Sequence, residues 1–349
     1  MKAMIIREHG GPDVLEMAEM PDPEPGPGQA LIRVAAVSVN SYLDVVNRAG
    51  GMHYRTAPLP SILGSEHSGE LVGLGPDTEC DIPLGSQVVV VNAIPCGHCP
   101  LCTSGRVTAC PNVDIIGVTL PGAYAEYTVV PVGNIRVVPP QATVVEAAGM
   151  NVLGPLAVQQ MMEAHATPGR FMLVQAASSP TGAMAGAVAK AYGMRVIGTT
   201  RSPTKTPALN DLGIFEHIID STSPDALQHV QDFSGGHGMD VVIDNIGEPT
   251  LWELTMAALA PGGAVVCSGA KFGGNLVVDM RRVYQLGQRI IGMRASSQEA
   301  RDTFWGMVAD SLITPVIDST YPLERVAEAH RRIESGENIG RPVITVSTI

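Results

Sequence analysis

The sequence predicts an α/β chain of two unlike parts, and three observations carry that prediction. Residues 1–135 alternate short β-rich runs with Gly and Pro, whereas from about residue 150 helical stretches rich in Ala and Met alternate with short apolar strands. The chain's 349 residues, 45% apolar and 16% charged, exceed what one ordinary core takes up. The first part therefore reads as an irregular, largely antiparallel β domain. The second reads as a doubly wound parallel sheet with helices on both faces.

In chain order, the runs ALIRVAAVSV, SGELVGLG, SQVVVVNAI and AYAEYTVVP supply the β domain, and PDPEPGPG at 21–28 is a stiff turn between strands. In the second part strands are expected at 170–177, 194–200, 217–220, 239–246, 263–269 and 289–295, with helices near 181–192, 204–212, 223–233 and 249–260 between them. Helices at 299–311 and 323–335 and a final strand, PVITV, close the chain.

Twenty-two basic against 34 acidic side chains give a net charge of −12, which argues against nucleic acid and anionic membranes as partners. MKAMIIREHGG has no long apolar stretch and no later run approaches a membrane span, so a cytoplasmic protein acting on a small-molecule substrate is expected. Cys80 and Cys267 stand alone and read as small buried hydrophobes.

Cys96, Cys99, Cys102 and Cys110 are different, following C-x2-C-x2-C-x7-C within fifteen residues, with Gly97, Pro100 and Gly105 permitting tight turns. Four soft thiolates suit tetrahedral zinc, and an all-cysteine shell leaves no open position for substrate, so this metal is structural. His98 is a solvent-facing spare.

FMLVQAASSPTGAMAGAVAKAYG ends a strand and opens a helix where the pyrophosphate of a dinucleotide sits. The full G-x-G-x-x-G pattern is missing, and only Gly182 and Gly186 remain. Ser178 or Ser179 can cap the helix, Pro180 and Thr181 suit its first turn, and backbone N–H groups still point at an anion. The next strand ends in Thr200, Arg201 and Ser202, with Lys205 a turn later. Hydroxyls and cations there, in place of an acidic residue, favour the 2′-phosphate of NADPH over NADH.

With these pieces in order, the chain resembles the medium-chain dehydrogenase/reductase superfamily from end to end. MKAMIIREHGGPDVLEM, ILGSEHSGELVGLG, the cysteine lobe, GAYAEYTVVP, the nucleotide region, MDVVIDNIG and PLERVAEAHRRIESGENIGRPVITV occur in the superfamily's order. The resemblance implies a GroES-like catalytic domain at 1–153 and 296–349, its metal lobe at about 94–112, around a Rossmann domain at 154–295. It also implies a homodimer or homotetramer. By the strand-end rule, Asn245, Ile246 and Gly247, with Ser268, Gly269 and Ala270, line the nicotinamide side, and Asp244 merely finishes its strand. Arg341 reaches the pyrophosphate by resemblance.

Zinc alcohol dehydrogenases of this superfamily hold a catalytic zinc by Cys, His and Cys. Here the matching positions are Asn40 or Ser41, Ser65 and a site near Leu153, none of them Cys or His. Glu66 remains and is expected to bond polar neighbours or Arg341. His67 is conceivable as a displaced ligand, although one imidazole without soft partners makes a poor zinc site. Without a Lewis acid, reduction of an activated C=C is easier to supply than alcohol oxidation, because the enolate oxygen needs only hydrogen-bond donors. Zinc-free quinone oxidoreductases and enoyl reductases of the superfamily are associated with that chemistry, although they usually lack the cysteine lobe. Asn40, Ser41, Tyr42, Ser65 and Tyr54 are the candidate donors, with His53 beside Tyr54. A zinc alcohol dehydrogenase with unusual ligands and a non-catalytic cofactor-binding relative are the competing readings.

Overall fold

Buried Ala30, Ile32 and Val34 alternate with half-buried Leu31 and Arg33 along Gln29–Ser38, a ten-residue strand whose second half is fully buried and around which the first unit is built. The computed structural model describes residues 1–53, 55–271 and 273–349. They form two compact units, Met1–Val152 with Ile317–Ile349, and Leu153–Val316.

In the first unit, Gln29–Ser38 lies between Glu66–Leu74 and the last strand, Arg341–Thr345, antiparallel to both. The order across this seven-stranded sheet is Ile135–Val137, Gln87–Val90, Glu66–Leu74, Gln29–Ser38, Arg341–Thr345 and Ile317–Pro322, with Tyr127–Pro131 also pairing with Gln29–Ser38. The helix Val144–Met150 carries a reciprocal capping box between Thr143 and Glu146. Ala148 of this helix shares a buried cluster with Ala36 and Val343.

In the second unit six strands are all parallel, in the order His217–Asp220, Arg195–Thr200, Phe171–Val174, Met239–Ile243, Leu259–Cys267 and Arg289–Gly292. Numbered along the chain this is 3-2-1-4-5-6, the doubly wound order, and its switch point lies between Phe171–Val174 and Met239–Ile243. The expected strand at 170–177 stops at Val174 because Ala176 takes a left-handed φ of 54°. Among the described residues no helix is long and apolar enough to cross a membrane.

Two differences from the sequence reading concern the extent of the second unit. Leu153–Ala164 is a helix the pattern did not reveal, because it is buried on most sides and only Gln159 and Glu163 mark its outer face. The expected boundary at 295/296 also moves, since Gln298–Ala309 belongs to the second unit. Phe304 of that helix fills the space over Gly154, where an added Cβ would stand 2.1 Å from the ring. Gly154→Ala is accordingly expected to destabilise the protein by about 1–3 kcal/mol through overpacking, read by denaturant unfolding, and Phe304→Leu in the same chain to recover part of that loss.

Candidate functional site

The cysteine lobe is closed at its neck by antiparallel pairing of Ala93–Ile94 with Asp114–Ile115. All four Sγ atoms lie within 4.8 Å of one another. The closer pairs are Cys96–Cys110 at 3.6 Å, Cys99–Cys110 at 3.9 Å and Cys96–Cys102 at 4.0 Å. Zinc–sulfur bonds of about 2.3 Å in a tetrahedron separate the sulfurs by about 3.8 Å, so the donor set fits that ion. Backbone N–H groups of His98 and Cys99 hold the Cys96 thiol down, while burial and neighbouring thiols push Cys102 up. Four ionised thiolates at this spacing call for a cation. His98 is exposed and turns its Nδ1 to the Cys96 carbonyl at 2.7 Å.

The candidate catalytic residues gather around two buried carboxylates of the first unit. Ser41–Val46 forms a wide turn of helix in which the Val45 N–H reaches back to the Asn40 carbonyl. Asn40 caps it, its Oδ1 accepting from the N–H groups of Tyr42 (2.8 Å) and Leu43 (3.0 Å). The Asn40 Nδ2 donates to Glu66, which also accepts from Ser38 Oγ at 3.2 Å and from Arg341 Nη2 at 3.2–3.3 Å. Arg341 Nη1 donates to the Val39 carbonyl at 2.9 Å. Arg341 is thus buried and bound to Glu66 inside this unit, one of the partners expected for that carboxylate, and it supplies the cation that a buried carboxylate needs.

Asp44, unremarked in the sequence, is the second carboxylate. It accepts the N–H groups of Asn40 (2.7 Å), Gly64 (3.2 Å) and Ser65 (3.2 Å), tying together the two segments that carry the candidate donors. Burial pushes its carboxyl up to about 7 against the lowering effect of the Asn40 N–H. Behind it, Arg48 donates to His330 Nδ1 at 3.2 Å, which leaves the proton on Nε2, 3.1 Å from the Tyr124 hydroxyl; burial first and then the charge of Asp44 push the Tyr124 phenol well up.

Ser65 is fully buried and its Oγ has no protein partner, and the same holds for both ring nitrogens of His67. His67 stands opposite Val37 and Val90 in the sheet, and burial lowers its imidazole to about 3. Among the described residues the four cysteines are the only group of three or more His, Cys, Asp or Glu side chains that converge on one point. Ser41 and Tyr42 are half-buried at the start of their helix, and Tyr54 lies outside the described residues.

In the second unit, the candidate nucleotide residues sit at the carboxyl ends of the parallel strands. Ser179, not Ser178, caps Pro180–Ala191, its Oγ accepting from the Gly182 N–H at 3.0 Å, with Pro180 and Thr181 opening the helix. Gly182 is required there, since a Cβ would stand 2.4 Å from the Ala176 carbonyl oxygen. Thr200 is buried and its Oγ1 accepts from the Ser202 N–H at 3.1 Å, shaping the turn that presents exposed Arg201, while Lys205 ends a short 3-10 turn. Asn245 Oδ1 accepts from the N–H (2.6 Å) and Oγ (3.0 Å) of Ser268, and Gly269 and Ala270 follow in the exposed loop. Asp244 does more than finish its strand: its Oδ1 accepts the N–H groups of Ile246 (3.0 Å) and Gly247 (3.3 Å). Lys271 was missed. Its ammonium is lowered by burial and then by the charge of Arg201, so two cations approach one another near the strand ends. Its position two residues beyond Ser268-Gly269 was the available signal.

The comparisons with known proteins agree with this architecture. Residues 26–140 match the alcohol dehydrogenase GroES-like domain, and residues 180–310 match the zinc-binding dehydrogenase family. L-threonine 3-dehydrogenase of Pyrococcus horikoshii is 33% identical over 279 residues, 77% of this chain and 76% of that one. A 2-haloacrylate reductase from Burkholderia sp. is 27% identical over 358 aligned positions, 98% of each. The crystal structure of an NAD-dependent alcohol dehydrogenase superposes with a TM-score of 0.92 at 33% identity, covering 99% of this chain and 100% of that one. The chain belongs to the medium-chain dehydrogenase/reductase superfamily, with its GroES-like and Rossmann-type parts, and is an oxidoreductase.

Two outcomes follow from the buried groups. Arg341→Met leaves Glu66 without its cation and is expected to cost about 3–5 kcal/mol of stability in denaturant unfolding. The His67 ring takes up a proton near 6.5 when unfolded but only near 3 when folded, so its share of stability is present above pH 6.5 and is lost as pH falls through that interval. In His67→Leu, stability should fall less steeply between about pH 6 and pH 4, by up to about 1.4 kcal/mol per pH unit, measured by urea titrations across that range.

Proposed function

We propose that this chain is an NADPH-dependent reductase without a catalytic zinc, delivering hydride to an activated C=C bond of an enone, enoyl thioester or quinone-like acceptor, with a structural zinc held by Cys96, Cys99, Cys102 and Cys110. One observation carries the reading. Where zinc dehydrogenases of the superfamily place soft ligands, this chain has Asn40, Ser41 and Ser65; the Asn40 amide donates to Glu66, and the backbone N–H groups of Asn40 and Ser65 donate to Asp44. The resemblance to a 2-haloacrylate reductase supports reduction, since that name describes a substrate with an activated alkene.

The preference for NADPH over NADH rests on Thr200, Arg201, Ser202 and Lys205 at the second strand end, and the nearby Lys271 adds a further cation. When bound, the cofactor supplies the hydride. Charge gathering on the acceptor's oxygen would then be met by the Ser65 hydroxyl, which has no protein partner, with Ser41 and Tyr42 beside Asn40 as further donors. Asp44 fixes the backbone at both positions, so these donors need little rearrangement as charge develops. Tyr54 is the proposed acid for the α carbon on its loop position and phenol chemistry. The remaining strand-end residues, Asn245 to Gly247 and Ser268 to Ala270, are proposed to line the nicotinamide. The reading carries a small-molecule substrate and a cytoplasmic homodimer or homotetramer.

The dehydrogenase names of other relatives favour a second reading, alcohol oxidation at a zinc held by His67 or Glu66. The Glu66–Arg341 pair and the valine neighbours of His67 weigh against it. Elemental analysis of protein purified without added metal separates the two. About one zinc per chain, falling close to none in Cys110→Ser, together with NADPH oxidation by an enone, is the expected result. About two per chain, with one retained in Cys110→Ser, would turn the assignment towards alcohols.

A further inference from the structure

Thr255 sits in the middle of the helix Pro249–Ala258, fully buried among Trp252, Met256 and Ala258, where an alanine or valine would pack without a polar group. Its hydroxyl is used twice. Oγ1 accepts from Gln175 Nε2 at 2.9 Å and donates to Asp244 Oδ2 at 2.9 Å. From Gln175 the path continues in the other direction, its Oε1 accepting from Thr199 Oγ1 at 2.6 Å, which in turn accepts from the Ala176 N–H at 3.2 Å.

The path therefore has two ends. At one end is Ala176, held in a left-handed conformation that an alanine rarely adopts (φ 54°), immediately before the capped helix at Pro180. At the other is the turn Asn245–Gly247, whose Ile246 and Gly247 N–H groups close on Asp244 Oδ1. Every hydroxyl on the way accepts once and donates once, and Gln175, Thr199, Asp244 and Thr255 are each no more than 2% exposed. The side chains come from three separate strand ends and one helix, so no single element explains the path. Such a network holds its shape only when every member is satisfied.

We propose that Thr255 is a positioning residue that makes the pyrophosphate turn and the nicotinamide-side turn one rigid unit, so that cofactor affinity depends on a hydroxyl that contacts no cofactor. The inference rests on the dinucleotide reading above. Losing the hydroxyl would leave the Asp244 carboxylate and the Gln175 amide each short of a partner, and both turns would be free to relax. Thr199, at the opposite end, acts through the same path.

The test is NADPH and NADH binding by fluorescence titration on the full chain, with thermal unfolding recorded in parallel, for Thr255→Val, Thr255→Ser, Thr199→Val and the double valine variant. Thr255→Val is expected to weaken binding of the preferred cofactor tenfold or more, with Thr255→Ser within about twofold of the parent because the hydroxyl is kept. The double variant should lose little more than the worse single variant, since both cut one path. Should Thr255→Val not fold, the same expectations apply to Thr199→Val against Thr199→Ser. Unchanged affinity in the valine variants, equal loss in serine and valine variants, or strictly additive losses would each overturn the proposal. A parent chain that binds neither dinucleotide would instead overturn the cofactor reading, and this inference with it.

Discussion

A carboxylate shut away from water has to find donors inside the protein, and three such groups, Asp44, Glu66 and Asp244, organise this molecule. Glu66 is satisfied only when Arg341, 275 residues away in the chain, reaches it from the last strand of the first sheet. That requirement closes the first unit with its own C-terminal segment. The parallel-sheet unit is therefore an insertion between the two segments that make up the first unit, and the contact that joins them is one of high sequence separation.

Asp44 and Asp244 solve the same problem with backbone instead of a cation. Asp44 gathers the N–H groups of Asn40, Gly64 and Ser65, and Asp244 gathers those of Ile246 and Gly247. In each unit the groups drawn in belong to the loops that carry the candidate site. Removing water from an acid and orienting a set of nearby donors are here a single act. The alternative, a site built on solvent-exposed loops, would have to reorganise as charge developed.

Much of this was legible in the sequence, for different reasons. The parallel strands could be read because strands buried on both faces are continuous apolar runs, and the observed strands fall inside or within a few residues of the expected ones. The cysteine lobe could be read because metal chemistry demands spacing, which is a local property. Glu66 and Arg341 came from the resemblance and found each other as one of the stated options. What escaped was tertiary. Leu153–Ala164 carries only Gln159 and Glu163 to mark its outer face, Asp44 and Asp244 look like any acid at a turn, and Thr255 looks like any threonine in a helix. Asp44 reaches Gly64 and Ser65 across 20 and 21 residues and Thr255 reaches Gln175 across 80, and only the fold brings these groups within hydrogen-bonding distance.

The neck of the cysteine lobe has a consequence of its own. Ala93–Ile94 and Asp114–Ile115 pair with each other by backbone bonds, so the lobe enters and leaves the domain at one point. Chain length between two such tethered ends is nearly free to vary, since doubling a loop adds only about 0.6 kcal/mol of closure entropy. The lobe is consequently an excisable insertion: a relative could shorten or discard it, cysteines and all, and still close the same sheet.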